Sequence, residues 1–175
     1  MSDGLQALDP AKVLLADSFG RIRELVASVT DGLSSQQSTY RPDRDANSIG
    51  WLVWHLARVQ DDHLSELANV EQAWTLHGWA ERFTLPFDGA ATGYGQTSQE
   101  VADVGVDPAL LDRYHDDVHR KSLEYVDSLT PDELSRIVDD SWDPPVTVSV
   151  RLVSVIGDCL QHVGQAAYLR GIVER

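Results

Sequence analysis

Hydrophobic residues recur with the period of an amphipathic helix in four stretches of the chain. In the first, Leu15, Phe19, Ile22, Val26 and Val29 follow an Asp9-Pro10 pair that reads as N-cap and first helical residue, and the helix ends near Gly32. Asn47 or Ser48 caps the second, whose inward stripe is Leu52, His55 or Leu56, Val59, His63 and Leu67. Asp107-Pro108 opens the third, with Leu111, Tyr114, Val118, Tyr125 and Leu129 along one side. The last runs from about Val148 to the end. Val155, Ile156, Cys159, Leu160, Val163, Ala166, Leu169 and Val173 make it apolar on so many sides that a central place in the core is expected.

The intervening segments are less regular. Ser34 to Ala46 is polar, carries Pro42 and reads as a connection. Glu71 to Ala80, with Trp74 and Trp79, predicts a short aromatic helix. Pro86, Gly89, Gly93 and Gly95 then mark a long irregular stretch reaching Val106. Loops of such length usually cover a site or run through solvent. Thr130-Pro131-Asp132-Glu133 starts a short helix with a capping threonine, proline at N1 and glutamate at N3. Asp139 to Pro145 is a turn-rich link, and Val146 to Leu152 alternates apolar and polar residues. A strand there has no evident partner, which favours helix from Val148. Four long amphipathic helices pack most simply as an all-α antiparallel four-helix bundle, here with short extra helices and a long loop, in one domain over residues 1–175.

Charge narrows the partners. The chain has 28 acidic against 14 basic residues, a net charge of −14, with the basic residues scattered, which argues against nucleic acid or anionic lipid. Cys159 is the only cysteine and lies in an apolar helical stretch, so no intrachain disulfide forms and the thiol reads as a small buried hydrophobe. No apolar run reaches the ~20 residues of a membrane span, and the N-terminus lacks a signal-peptide pattern, so a soluble cytoplasmic protein is expected.

Candidate chemistry sits in the polar exceptions to the apolar stripes. Asp158 and His162 are four apart and share a helix face in an otherwise apolar segment. His55 lies among Trp51, Leu52, Trp54, Leu56 and Val59. The three could converge between two packed helices as metal ligands. The same residues also suit a hydrogen-bonded core histidine and an ion pair within one helix. Asp62, seven residues after His55, lies about 20° from it around the helix, against about 80° for His63, and is the better placed to support such a site. Trp51 and Trp54 are the aromatic residues best placed to touch a ligand. His115 and His119 also stand four apart, but Asp116, Asp117, Arg120 and Lys121 around them predict a solvated face. His77 has no evident partner.

The patterns Ser48-Ile49-Gly50-Trp51-Leu52-Val53-Trp54-His55-Leu56-Ala57 and Asp158-Cys159-Leu160-Gln161-His162-Val163-Gly164-Gln165-Ala166-Ala167-Tyr168-Leu169-Arg170 resemble those of the DinB-like superfamily. The resemblance is strongest to its actinobacterial branch of mycothiol S-transferases and mycothiol-dependent maleylpyruvate isomerase, and it covers nearly the whole chain. It implies a four-helix bundle with a divalent metal, zinc or else nickel, between one histidine of the second long helix and two ligands of the last. Those positions match His55, Asp158 and His162. It further implies that the metal activates the thiol of mycothiol for attack on a small electrophile. Isomerisation, or a non-catalytic stress-related binding role, is the alternative, and a homodimer is among the assemblies it allows. Asp158 departs from the pattern, since the family carries histidine or glutamate there; Ala166 also replaces a polar residue found in some relatives.

Overall fold

The computed structural model describes residues 9–175; the first eight residues, whose sequence shows no signal-peptide pattern, lie outside that range. In chain order the elements are α1 (Pro10–Thr30), α2 (Ser35–Ser38), α3 (Ile49–Ala68), α4 (Ala73–Leu76), α5 (Trp79–Phe83), α6 (Ser98–Ala102), α7 (Pro108–Ser128), α8 (Pro131–Ser135), β1 (Ile137–Asp139), β2 (Val146–Thr147) and α9 (Val148–Val173). The long helices begin where the capping chemistry places them. Asp9, Ser48, Asp107 and Thr147 each accept a hydrogen bond from a first-turn backbone N–H, and Pro10 and Pro108 sit where a missing N–H is harmless. Thr130 caps α8 through the Glu133 N–H, as its sequence predicts.

α1, α7, α3 and α9 form a ring in that order, each packed on the next and α9 on α1. Lys12 near the start of α1 donates to the Asp127 carbonyl at the end of α7, so these two are antiparallel. The late α3 residue His63 meets Arg151 at the start of α9, while the early His55 faces His162, so α3 and α9 are antiparallel too. The other two neighbours run parallel. Arg170 near the end of α9 donates to the Val29 carbonyl at the end of α1. Arg58 meets Tyr114 and, further along both helices, Lys121 reaches the Glu71 carbonyl just past α3. Parallel neighbours need a connection that returns the length of the bundle, and residues 69–107 supply it, with α4, α5 and α6 as local turns within it.

That return segment lies on α3. Phe87 packs on Trp54, Arg58 donates to the Ala91 carbonyl, and Thr92 meets His55. α3 is therefore buried on nearly every side, including Leu52, Trp54, Leu56, Arg58 and Gln60. α9, expected to be central, instead shows solvent an apolar flank, with Val153 at 68% and Tyr168 at 72% exposure. In a ring of four helices each has an outward face, and that of α3 is covered by the return segment. The strand question resolves in favour of both elements. β2 pairs antiparallel with β1, a partner the sequence did not reveal, and α9 still starts at Val148. The expected single aromatic helix is two short ones, with Gly78 between them at φ 68°.

Two further expectations are corrected. His77 has a partner, its Nδ1 lying 2.6 Å from the Asp117 carboxylate, which also accepts from Trp79. The face of α7 bearing His115 is covered rather than solvated. α1 packs there, and Arg23 pairs with Asp112 and Asp116, so charges that look solvent-bound in sequence are neutralised at a helix interface. His115 is fully buried, with its Nε2 3.3 Å from the Gln60 amide oxygen and its Nδ1 unpartnered.

Burial, followed by the nearby Arg23 and His119 charges, pushes the His115 imidazole down from 6.5 to about 3. Below 6.5 the unfolded chain takes up a proton on this ring that the folded chain refuses until about 3, so stability falls as pH drops through that window. The limiting slope is about 1.4 kcal/mol per pH unit. Urea unfolding of the wild type and His115→Gln at about pH 7 and about pH 5 is expected to show a smaller acid loss in the variant. Equal losses would remove His115 from the acid response.

Candidate metal centre

Three donor side chains meet across the antiparallel α3/α9 pair. His55 comes from the second turn of α3, and Asp158 and His162, one turn apart, from the middle of α9. One ligand atom from each lies within 4.8 Å of the others, and they are the only such group of three among the described residues. The His55 and His162 ring centroids are 4.7 Å apart. His55 stacks on Trp51 at 4.7 Å and 15°, with the indole N–H of Trp51 donating to the Gln96 side-chain oxygen at 2.7 Å.

His55 is held by the return segment. Its Nδ1 lies 2.5 Å from the Thr92 carbonyl oxygen, and because a carbonyl only accepts, Nδ1 carries the hydrogen and Nε2 is left with a free lone pair. A carbonyl on the far ring nitrogen is the usual support of a metal-binding histidine. Gly93 makes the approach feasible. Its φ is 101°, and a Cβ there would stand 2.6 Å from His55 Nδ1 and 3.2 Å from the Trp51 ring.

On α9, His162 Nε2 lies 3.4 Å from Asp158 Oδ1, while His162 Nδ1 is 3.2 Å from the Gln165 amide oxygen. Two ligands each about 2.0–2.2 Å from one tetrahedral metal stand about 3.3–3.6 Å apart. The Asp158–His162 pair already has that spacing, which is long for a good hydrogen bond. Asp158 Oδ2 is buried with no hydrogen-bond partner. An orphaned carboxylate oxygen beside two imidazoles fits a cation, and the donor set of two nitrogens and one oxygen suits zinc with a position left open. The aspartate thus stands at that spacing from His162 despite its shorter arm.

Electrostatics separates the two histidines. Burial, reinforced by His162, lowers the His55 pKa from 6.5, against the opposing effects of Thr92 and Asp158. Contact with Asp158 raises that of His162 despite burial. Burial disfavours the Asp158 carboxylate, yet His162, His55 and His63 together hold it below 3.8. His55 is thereby kept neutral, while the α9 pair is biased towards an ion pair.

A cavity of about 450 Å³ adjoins two of the three donors, with Val59, Asp62, His63, Tyr94, Arg151 and Ser154 among its walls beside His55 and Asp158. Arg151 is the only arginine or lysine lining it among the described residues.

Residues 14–174 match the family model for mycothiol-S-transferase. The chain belongs to that family. A crystal structure described as a conserved protein of locus from Enterococcus faecalis is 31% identical, covers 94% of this chain and 96% of its own, and superposes with a TM-score of 0.87. No curated protein matches. The family and the helical architecture agree with the DinB-like resemblance read from the two helix patterns. No helix of the described residues is long and apolar enough to cross a membrane.

Of the sequence candidates in this family member, Trp51 borders the donor cluster and Asp62 lines the cavity, accepting from Gln72 at 2.7 Å. Trp54 is placed differently. It is 1% exposed, packs on Phe87 and is absent from the cavity wall, because the return segment seals that side of α3. Sequence reasoning missed Thr92, whose contribution is a backbone carbonyl with no side-chain signature. It also missed Gln72 and Arg151. The glycines flanking Tyr94 were the one available sign of a close approach.

Gly93→Ala tests the His55 support directly. The added methyl and the positive φ are expected to displace Thr92 from His55 and to lower zinc affinity about 10-fold. Isothermal titration of metal-free protein checks it, and unchanged affinity would show that the Thr92 contact does not orient the ring.

Proposed function

We propose that this protein is a metal-dependent thiol S-transferase that joins mycothiol to a small electrophile, with His55, Asp158 and His162 holding a divalent metal, zinc or else nickel. The reading extends to one catalytic domain spanning residues 1–175 and acting in the cytoplasm. The observation that carries it is the convergence of the three donors within 4.8 Å of one another, with Asp158 and His162 3.4 Å apart, beside a cavity large enough for small reactants.

A bound zinc ion with an open position would supply Lewis acidity that favours the thiolate of a coordinated thiol at neutral pH. The protein's own groups do the rest. Thr92 fixes the His55 tautomer, and Asp158 contributes the negative charge that balances a divalent ion. Trp51 closes one side of the His55 ring and excludes water there. Asp62, on the cavity wall, would accept the proton that the thiol gives up, and Arg151 would offer donors to the polar end of a reactant. Cys159 has no part in this scheme. Its thiol is fully buried and is pushed well above its ordinary pKa by that burial, with Asp158 adding to the effect.

Zinc titration and alkylation of mycothiol by a fluorogenic electrophile test the reading together. Asp158→Ala is expected to bind zinc at least about 100-fold more weakly and to lose zinc-stimulated conjugation while still melting cooperatively; Asp158→Glu should keep both. Equal zinc affinity in the wild type and Asp158→Ala would leave two protein ligands and sink the proposal. Tight zinc binding without thiol-dependent turnover would instead favour a binding role.

A further inference from the structure

Arg58 lies three residues after His55 on the same side of α3 and is fully buried. Its Nε donates to the Ala91 carbonyl at 3.1 Å. Its Nη1 donates to the Gln72 side-chain oxygen at 2.8 Å and to the Tyr114 hydroxyl at 3.3 Å. The guanidinium lies 4.7 Å from the Trp74 ring centroid and 3.8 Å from the Asp61 carboxylate, and Nη2 has no partner. Asp61 is occupied elsewhere, accepting from the Ala73 and Trp74 backbone N–H groups and from Tyr114. A buried cation balanced by a carboxylate beyond hydrogen-bond reach is a poor way to stabilise a core; an apolar side chain of similar volume often does as well or better.

What Arg58 touches gives it another role. Ala91 directly precedes Thr92, whose carbonyl sets the His55 tautomer, so α3 grips two successive carbonyls of the return segment through side chains one turn apart. Gln72, held through its oxygen by Arg58, presents its Nε2 to Asp62 Oδ1 at 2.7 Å. One guanidinium thus reaches the support of His55 through one arm and the carboxylate on the cavity wall through the other. Only a forked donor does this, since lysine has a single ammonium on a flexible stem.

We infer that Arg58 is the positioning residue of the centre, coupling the orientation of His55, through Ala91 and Thr92, to that of Asp62, through Gln72. The inference rests on the reading of His55 as a metal ligand only for its effect on metal affinity. Its structural content concerns the metal-free protein.

Arg58→Lys keeps the charge and removes the fork, whereas Gln72→Met breaks the Asp62 arm and leaves the Ala91 bond intact. In metal-free protein, ring ¹⁵N shifts should report a single Nδ1–H tautomer for His55 in the wild type and in Gln72→Met, and a mixture in Arg58→Lys. Amide exchange over Ala91 to Gly93 should be about 10-fold faster in Arg58→Lys alone. The Asp62 carboxyl ¹³C signal should move in both variants. With zinc, affinity should fall about 10-fold in Arg58→Lys and stay within about 2-fold in Gln72→Met. A folded Arg58→Lys with wild-type tautomer and exchange overturns the inference. Should Arg58→Lys not fold, Gln72→Met decides through Asp62, and an unmoved carboxyl signal overturns it equally. A wild type that binds no zinc refutes the metal reading alone, because the tautomer, exchange and carboxyl measurements do not involve the ion.

Discussion

The parallel alignment of α3 and α7 is the constraint from which the rest of the molecule follows. Two parallel neighbours cannot be joined by a tight turn, so the chain must travel back along the bundle before α7 can begin. That return path is laid against α3. It converts α3 from one helix of a ring into the most enclosed element of the fold, and it brings backbone carbonyls to side chains that would otherwise face water.

Enclosure raises the demands on every polar group along α3. His55, Arg58, Gln60 and Asp61 are all buried, and each finds partners beyond α3, on the return segment with its α4 turn or on α7. Unmatched, such groups would oppose folding. Matched, they specify how the return segment sits, because displacing it by a residue leaves several donors and acceptors stranded at once. The candidate centre inherits this rigidity on its α3 side. On its α9 side the geometry is simpler, since Asp158 and His162 are placed by helical spacing alone.

The two halves of the site differ electrostatically for the same reason. His55 is enclosed and faces a carbonyl, which favours the neutral ring. His162 lies beside a carboxylate at the edge of a cavity, which favours the charged ring. A divalent ion between them would find one ligand already in its binding form and a second whose proton is held by the carboxylate that completes the set. Affinity at such a site depends on pH through His162 more than through His55.

Much of this was legible in the residues themselves. Periodicity and capping at Asp9-Pro10, Ser48, Asp107-Pro108 and Thr130-Pro131 mark the helices to within a few residues, because those signals act over one or two turns. The pairing of Asp158 with His162 is equally local, and His55 stands out as a polar interruption of an apolar stripe. Tertiary structure alone decided which helix is central, that Trp54 faces away from the cavity, that His115 is buried beneath Arg23, and that β2 has a partner in β1. It also decided that a carbonyl at Thr92 and an amide at Gln72 serve the site. Each of these depends on segments distant in sequence meeting through backbone groups or covered faces, and a one-dimensional pattern carries no record of what will lie on top of it.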